Sequence, residues 1–147
     1  MSSPTVRRAV PSDAAALARL TTQLGYPVSD SAISGRLARM IARADDCVLV
    51  AVDAGGQLLG WIHGFVIQLL ESEYRVEIGG LVVDEQCRRR GVGRQLVSAI
   101  EDWARERGAT EISVRCREER AESHRFYESL SFQHVKTQRV FRKRMDK

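Results

Sequence analysis

No apolar run in the 147 residues approaches the roughly 18 that a membrane span needs. The opening MSSPTVRRAVPSD also lacks the apolar stretch of a secretory signal. With neither feature, no membrane partner is expected and a cytoplasmic location is. Cysteine is scarce: Cys47, Cys87 and Cys116 are odd in number and show no C-x-x-C spacing, which argues against a disulfide framework and a Cys-rich zinc site. His63, His124 and His134 are scattered without metal-ligand spacing, so no metal is expected. What is present is ordinary in bulk, with 44% hydrophobic and 29% charged residues and a formal charge of +4. The length suits one domain over 1–147, with a core of about 5–145.

The charge is unevenly placed. Four arginines and no acid lie between Arg88 and Arg94, and six Lys/Arg against one acid lie between Lys136 and Lys147. A basic patch alone is a weak sign of nucleic acid, which is not expected as a partner.

In chain order, Val6 to Val10 reads as a first strand. A helix follows from Pro11-Ser12-Asp13, with Ser12 or Asp13 as cap and Leu17, Leu20 and Leu24 on one face; Gly25 ends it. A second helix is expected from about Asp30 to Ala42, carrying Ile33, Leu37 and Met40, and with the first it makes a mobile flap. Cys47 to Val52 scarcely alternates and predicts a strand buried on both faces. The turn chemistry of Asp53 to Gln57 returns the chain antiparallel as Leu58 to Ile67, and a loop over Gln68 to Tyr74 leads into a strand at Arg75 to Val83. Val92, Leu96, Val97, Ile100, Trp103 and Ala104 recur at helical spacing up to Gly108, and Glu111 to Cys116 alternates as a strand. That βαβ unit places the strands ending at Val83 and Cys116 parallel. A helix over Arg120 to Leu130 and one or two closing strands over Phe132 to Arg144 complete the reading.

The most informative stretch is the turn between the Arg75 strand and the Val92 helix. A dinucleotide-binding G-x-G-x-x-G fails because Leu96 replaces the third glycine, and a Walker A loop fails because no Gly-Lys-Ser/Thr follows. What remains is R-x-x-G-x-G as Arg88, Gly91 and Gly93, after a strand and before a helix. Free backbone N–H groups, the positive end of the helix dipole and arginine charge make that a phosphate site. The bland alternative is a surface loop whose arginines serve solubility.

RRRGVG at Arg88 to Gly93 resembles the signature turn of the GNAT superfamily of acyl-CoA-dependent N-acyltransferases, and Phe126-Tyr127-Glu128-Ser129-Leu130-Ser131-Phe132 resembles its second motif. Element order is similar over nearly the whole chain. The resemblance implies an α+β fold: a mixed, mostly antiparallel sheet, a parallel βαβ pair splayed at the acyl-CoA site, and helices on both faces. It also implies acetyl-CoA as cosubstrate, with the pyrophosphate at Arg88, Arg89, Arg90, Gly91, Val92, Gly93 and Arg94. The pantetheine arm would lie along the backbone of Leu81, Val82 and Val83, and Ser123 would make a further contact. A bulge that opens the sheet is expected at Gly79-Gly80, and a freed N–H near Leu81 would polarise the thioester carbonyl. Family members often dimerise through late strands, so a homodimer is implied.

Transfer to an amine requires removing a proton from the ammonium and supplying one to the thiolate. Tyr127 matches the family's acid; the alternative is a core aromatic beside Phe126. Glu77 matches the position of a glutamate base, and a carboxylate within VEIGGLVV is locally anomalous. The alternative is a carboxylate facing water or paired with Arg75 or an outer arginine, with Glu71, Glu73 or water as other routes. Two departures stand out: Arg120 replaces a common asparagine, and Ser131 a common glycine. Cys87 beside the arginine turn is read as incidental, because no histidine partner is apparent. The acceptor is a small-molecule or peptide amine, and Glu71, Glu73 and Glu77 suit a cationic one. A non-catalytic acyl-CoA, anion or nucleic-acid binder using the same arginines is the competing class.

Overall fold

A computed structural model describes residues 3–146. The chain divides into two compact units, with the division between Arg115 and Cys116. The first unit is built on five strands: β1 (Thr5–Arg8), β2 (Asp46–Val52), β3 (Leu58–Ile67), β4 (Arg75–Val83) and β5 (Glu111–Val114). They lie in sequence order, antiparallel except for the parallel β4–β5 pair. The mixed sheet and the parallel pair are therefore as expected.

Helices cover both faces of this sheet. α1 (Ala14–Gln23) and α2 (Asp30–Ile41) place Leu17, Leu20 and Leu37 against Val48, Val50, Leu58 and Val82 on one face. α3 (Val92–Glu106) takes the other face, where a Cβ on Gly64 would lie 3.0 Å from Ile100 and one on Gly60 3.2 Å from Leu96. Helix and sheet approach that closely only because β3 carries glycine at both points. Leu96 and Ile100 are fully buried, each contributing about 1.5–3 kcal/mol of hydrophobic stabilisation. α3 ends as its sequence demands: Gly108 turns at φ +83°, and the N–H groups of Gly108 and Ala109 return to the carbonyls of Arg105 and Ala104.

The start of α1 differs from expectation. Pro11–Asp13 forms a 3-10 turn, and neither Ser12 nor Asp13 caps α1 through its side chain. The Asp13 carboxylate instead accepts from the Val10 N–H at 2.8 Å and forks with Arg7 at 2.8 and 3.1 Å. The ready guanidinium on β1 offers this carboxylate two charge-assisted bonds at once.

The second unit holds α4 (Ala121–Ser129). Its end repeats the arrangement that closes α3, with Phe132 N–H bonded to Tyr127 C=O and Ser131 N–H to Glu128 C=O. Here a serine occupies the left-handed position, at φ +72°. The closing strands expected over Phe132 to Arg144 are absent: no described residue beyond β5 is in a strand. Val135, Val140, Phe141 and Met145 are 70–88% exposed, so the alternation of apolar and basic residues there finds no surface to bury against.

Candidate active site

β4 parts from β5 halfway along its length. Its pairing with β5 runs from Arg75↔Glu111 to Ile78↔Val114 and stops, while its pairing with β3 continues to Val83. From Gly79 to Val83 the second edge of β4 has no strand partner among the described residues. The register with β3 also slips here: Gly64 pairs Ile78 and His63 pairs Gly80, leaving Gly79 as the extra residue of a bulge. The expected bulge at Gly79-Gly80 is thus present, and its physical reason is visible. A Cβ on Gly79 would meet His63 Nδ1 and Phe65 Cε1 at 3.0 Å, and one on Gly80 would meet the Trp61 ring at 2.8 Å.

Beyond β4 the chain makes its arginine turn. Asp84 is buried and accepts from the Gln86 N–H at 3.0 Å, while Arg19 of α1 reaches it at 3.3 Å. These contacts fix where the turn leaves the sheet. Cys87 is buried at the end of a 3-10 turn, Glu85–Cys87. Arg89 is held at φ +70°, and Gly91, at φ +80°, is the N-cap of α3 with no side-chain cap. The first N–H groups of α3 therefore lack a side-chain acceptor, and an anion fills that role well. Arg88, Arg89, Arg90 and Arg94 are exposed, and none pairs with a carboxylate among the described residues. Val92 turns its side chain into the core, leaving its backbone to the turn. The turn therefore brings together an uncapped helix end, four exposed arginines and a buried anchor at Asp84.

Glu77 is buried on the face of β4 opposite α3, across from Phe65. Ser113 donates to Oε1 at 3.0 Å and Arg115 approaches Oε2 at 3.2 Å. Arg75 donates to the Ser113 hydroxyl at 3.1 Å, completing a small network. Both carboxylate oxygens thus have partners, one of them an outer arginine. Glu71 and Glu73 are exposed in the loop before β4. Leu81 and Val83 are half-buried along the opened part of β4, with Val82 inside the core between them.

In the second unit, Tyr127 is buried on α4, edge-on to Phe126 (centroids 5.0 Å apart) and to Phe132 (5.3 Å). Burial pushes its phenol well above the ordinary value, and the nearby Cys116 thiol adds to the rise. Its hydroxyl makes no hydrogen bond among the described residues. Since every sealed side-chain polar atom has a partner, that hydroxyl opens to solvent. Ser123, one turn before Tyr127, is half-buried.

Sequence reasoning missed Asp84, Arg19, Ser113 and Arg115. Asp84 carried a signal, a capping residue directly after a β-branched strand; the others are joined to their partners only by the fold. It also missed Asp46, whose carboxylate binds His63 across the β2–β3 hairpin at 2.7 Å.

The model of the acetyltransferase (GNAT) family matches residues 16–132, a span that crosses both units. Among curated proteins, the chain is 33% identical over 149 residues to an aminoglycoside N(6')-acetyltransferase type 1 of Stenotrophomonas maltophilia, covering 98% of this chain and 94% of that one. It is 34% identical over 114 residues to a protein of the same name from Klebsiella aerogenes, covering 76% and 72%. Among solved structures, AAC(6')-Iy in complex with the bisubstrate analogue CoA-S-monomethyl-acetylneamine superposes with a TM-score of 0.87 at 21% identity, covering 98% of this chain and 100% of that one. AAC(6')-Ih from Acinetobacter baumannii gives 0.86 at 18% identity, covering 97% and 99%.

Proposed function

The chain belongs to the acetyltransferase (GNAT) family and is an acetyl-CoA-dependent N-acetyltransferase; from that premise we propose its acceptor and the division of labour in its site. The acceptor is the 6′-amine of an aminoglycoside. Support comes from the activity named for its relatives and from the carboxylates Glu71, Glu73 and Glu77, which suit a polycation. The reading extends over both units as one transferase domain, since the family match runs across their division.

The observation that carries the assignment of the cosubstrate site is the continuity of an unpaired strand edge with an uncapped, arginine-rich helix start. Coenzyme A has the same two parts: an extended amide arm, suited to backbone pairing along Leu81 to Val83, and a pyrophosphate, suited to Arg88 to Arg94. Acetyl-CoA brings an activated acetyl thioester; the chain's own groups bind, orient and move protons. A backbone N–H near Leu81 polarises the carbonyl. Ser123 contacts the arm. Tyr127, kept protonated by burial, donates to the departing sulfur. Glu77, oriented by Ser113 and Arg115, draws the ammonium in and orients it for attack.

The test is thiol release from acetyl-CoA in the presence of neamine, with mass spectrometry of the product. Stoichiometric thiol and monoacetylated neamine are expected. Coenzyme A binding without transfer to neamine or any other amine would leave only a binding module.

A further inference from the structure

The row Trp61, His63, Phe65 alternates along β3 on the face opposite α3, and it borders the bulge where the sheet opens. Trp61 is tied to α1 through Thr21 at 3.2 Å, and Phe65 lies against the His63 ring with centroids 5.5 Å apart. His63 is the one titratable member. Its Nε2 lies 2.7 Å from Asp46 Oδ1, and the other oxygen of Asp46 takes Arg43 Nε at 2.8 Å. A carboxylate in that position can only accept, so in the neutral ring the proton belongs on Nε2 and the lone pair on Nδ1.

The glycine beside Nδ1 keeps that nitrogen open. A Cβ on Gly79 would lie 3.0 Å from Nδ1, so any side chain at the bulge would cover it. Gly79 is exposed and leaves Nδ1 uncovered. Nδ1 makes no hydrogen bond among the described residues, and sealed polar atoms all have partners, so solvent reaches it. A carboxylate fixes the ring, one nitrogen is committed to it, and the other faces the place where β4 leaves β5. That is the arrangement of an oriented imidazole base.

We propose that His63, held by Asp46, takes the proton from the acceptor's ammonium at the β4 bulge. This rests on the transferase reading and deepens it: Glu77 draws in and orients the cation, and His63 holds the proton. The ammonium gives one proton to Nδ1, leaving a neutral amine and an imidazolium. The nitrogen lone pair forms the C–N bond to the acetyl carbon, and the C–S bond breaks with its electrons on sulfur. Nitrogen sheds a second proton as sulfur gains one. The products are amide, thiol and the proton on His63. The charged group on the ring is Asp46 of β2, which also holds Arg43 from the turn before it; Glu77 of β4, paired with Arg115, stands across from Phe65, the next residue of the row, and α1 contributes neutral Thr21, bonded to Trp61.

The test combines kinetics with nitrogen NMR of the imidazole. His63→Gln keeps an N–H for Asp46 but has no base. With neamine it should lower kcat about 10²-fold or more and remove the acid limb of the pH profile, with the KM for acetyl-CoA unchanged. Asp46→Asn should lower kcat in the same sense by less. In the wild type, the spectra should show a neutral ring protonated on Nε2 and bare on Nδ1. A variant with the wild-type pH profile, a uniform loss at all pH values with a lowered melting temperature, or a proton on Nδ1 of the neutral ring overturns the proposal. The spectra need no acceptor. A wild type that acetylates no amine therefore defeats the transferase reading separately, while the tautomer still decides His63.

Discussion

In the first unit, the arginines and glycines of Arg88 to Gly93 stand on α3, whose Val92, Leu96 and Ile100 are at most 1% exposed. In the second, the basic residues of Lys136 to Arg144 flank Val140 and Phe141, which are 70% and 88% exposed. Both stretches mix cations with apolar residues. Only the first has a sheet face to receive its apolar side, and only there do the arginines flank an uncapped helix end. Periodicity thus declares which residues are able to be buried together; the existence of a receiving surface decides whether they are.

The two units should differ most when a buried apolar side chain is removed. Leu96→Ala leaves a cavity between α3 and β3 and should cost about 2–5 kcal/mol in denaturant unfolding. A loss below about 1 kcal/mol would mean that α3 is not the support of the arginine turn. Next in size is the chemical role assigned to the second unit. Tyr127→Phe should lower kcat by about 10²-fold while leaving coenzyme A affinity near wild type. Because burial raises the phenol above its usual value of about 10, the wild-type residue keeps its proton through the neutral range, so ionised Tyr127 should cause no loss of rate below about pH 10. A full-rate variant would return Tyr127 to a packing role with Phe126 and Phe132.

Smaller still is the strain at the end of α4. Ser131 occupies a left-handed backbone position that favours glycine, so Ser131→Gly should raise stability by about 1 kcal/mol, read as an increased melting temperature. No increase would show that the serine side chain compensates locally. At the bottom of the scale, Phe141→Ser should change stability by less than about 0.5 kcal/mol, since the ring is 88% exposed. A larger loss would show that Phe141 is covered in solution and would erase the contrast drawn between the two basic stretches.

Much of the fold was legible because its signals are local. The ends of β3 and β4 coincide with those read from alternation and turn residues, and the buried set of α3 is the one its period declares. The bulge was legible because two adjacent glycines weaken a β-branched strand, and a strand tolerates that loss where it bends or where a neighbouring group comes close. The closing strands were misread because a strand requires a neighbour, and a neighbour is not a property of the strand's own residues. The networks around Glu77 and His63 were hidden for the same reason. Ser113 lies 36 residues from Glu77 and Asp46 17 from His63, separations closed only by strand pairing.

The central claim is that one stretch, an opened β4 edge running into the arginine turn, holds the two parts of acetyl-CoA separately. The most direct measurement compares kcat/KM for acetyl-CoA with that for acetyl-pantetheine, which has the arm but no phosphates, in the wild type and in Arg88→Ala/Arg90→Ala. Charge-assisted contacts of roughly 1.5–3 kcal/mol each predict a loss of about 10²-fold or more for acetyl-CoA in the variant and almost none for acetyl-pantetheine. Equal losses for both donors would contradict the account.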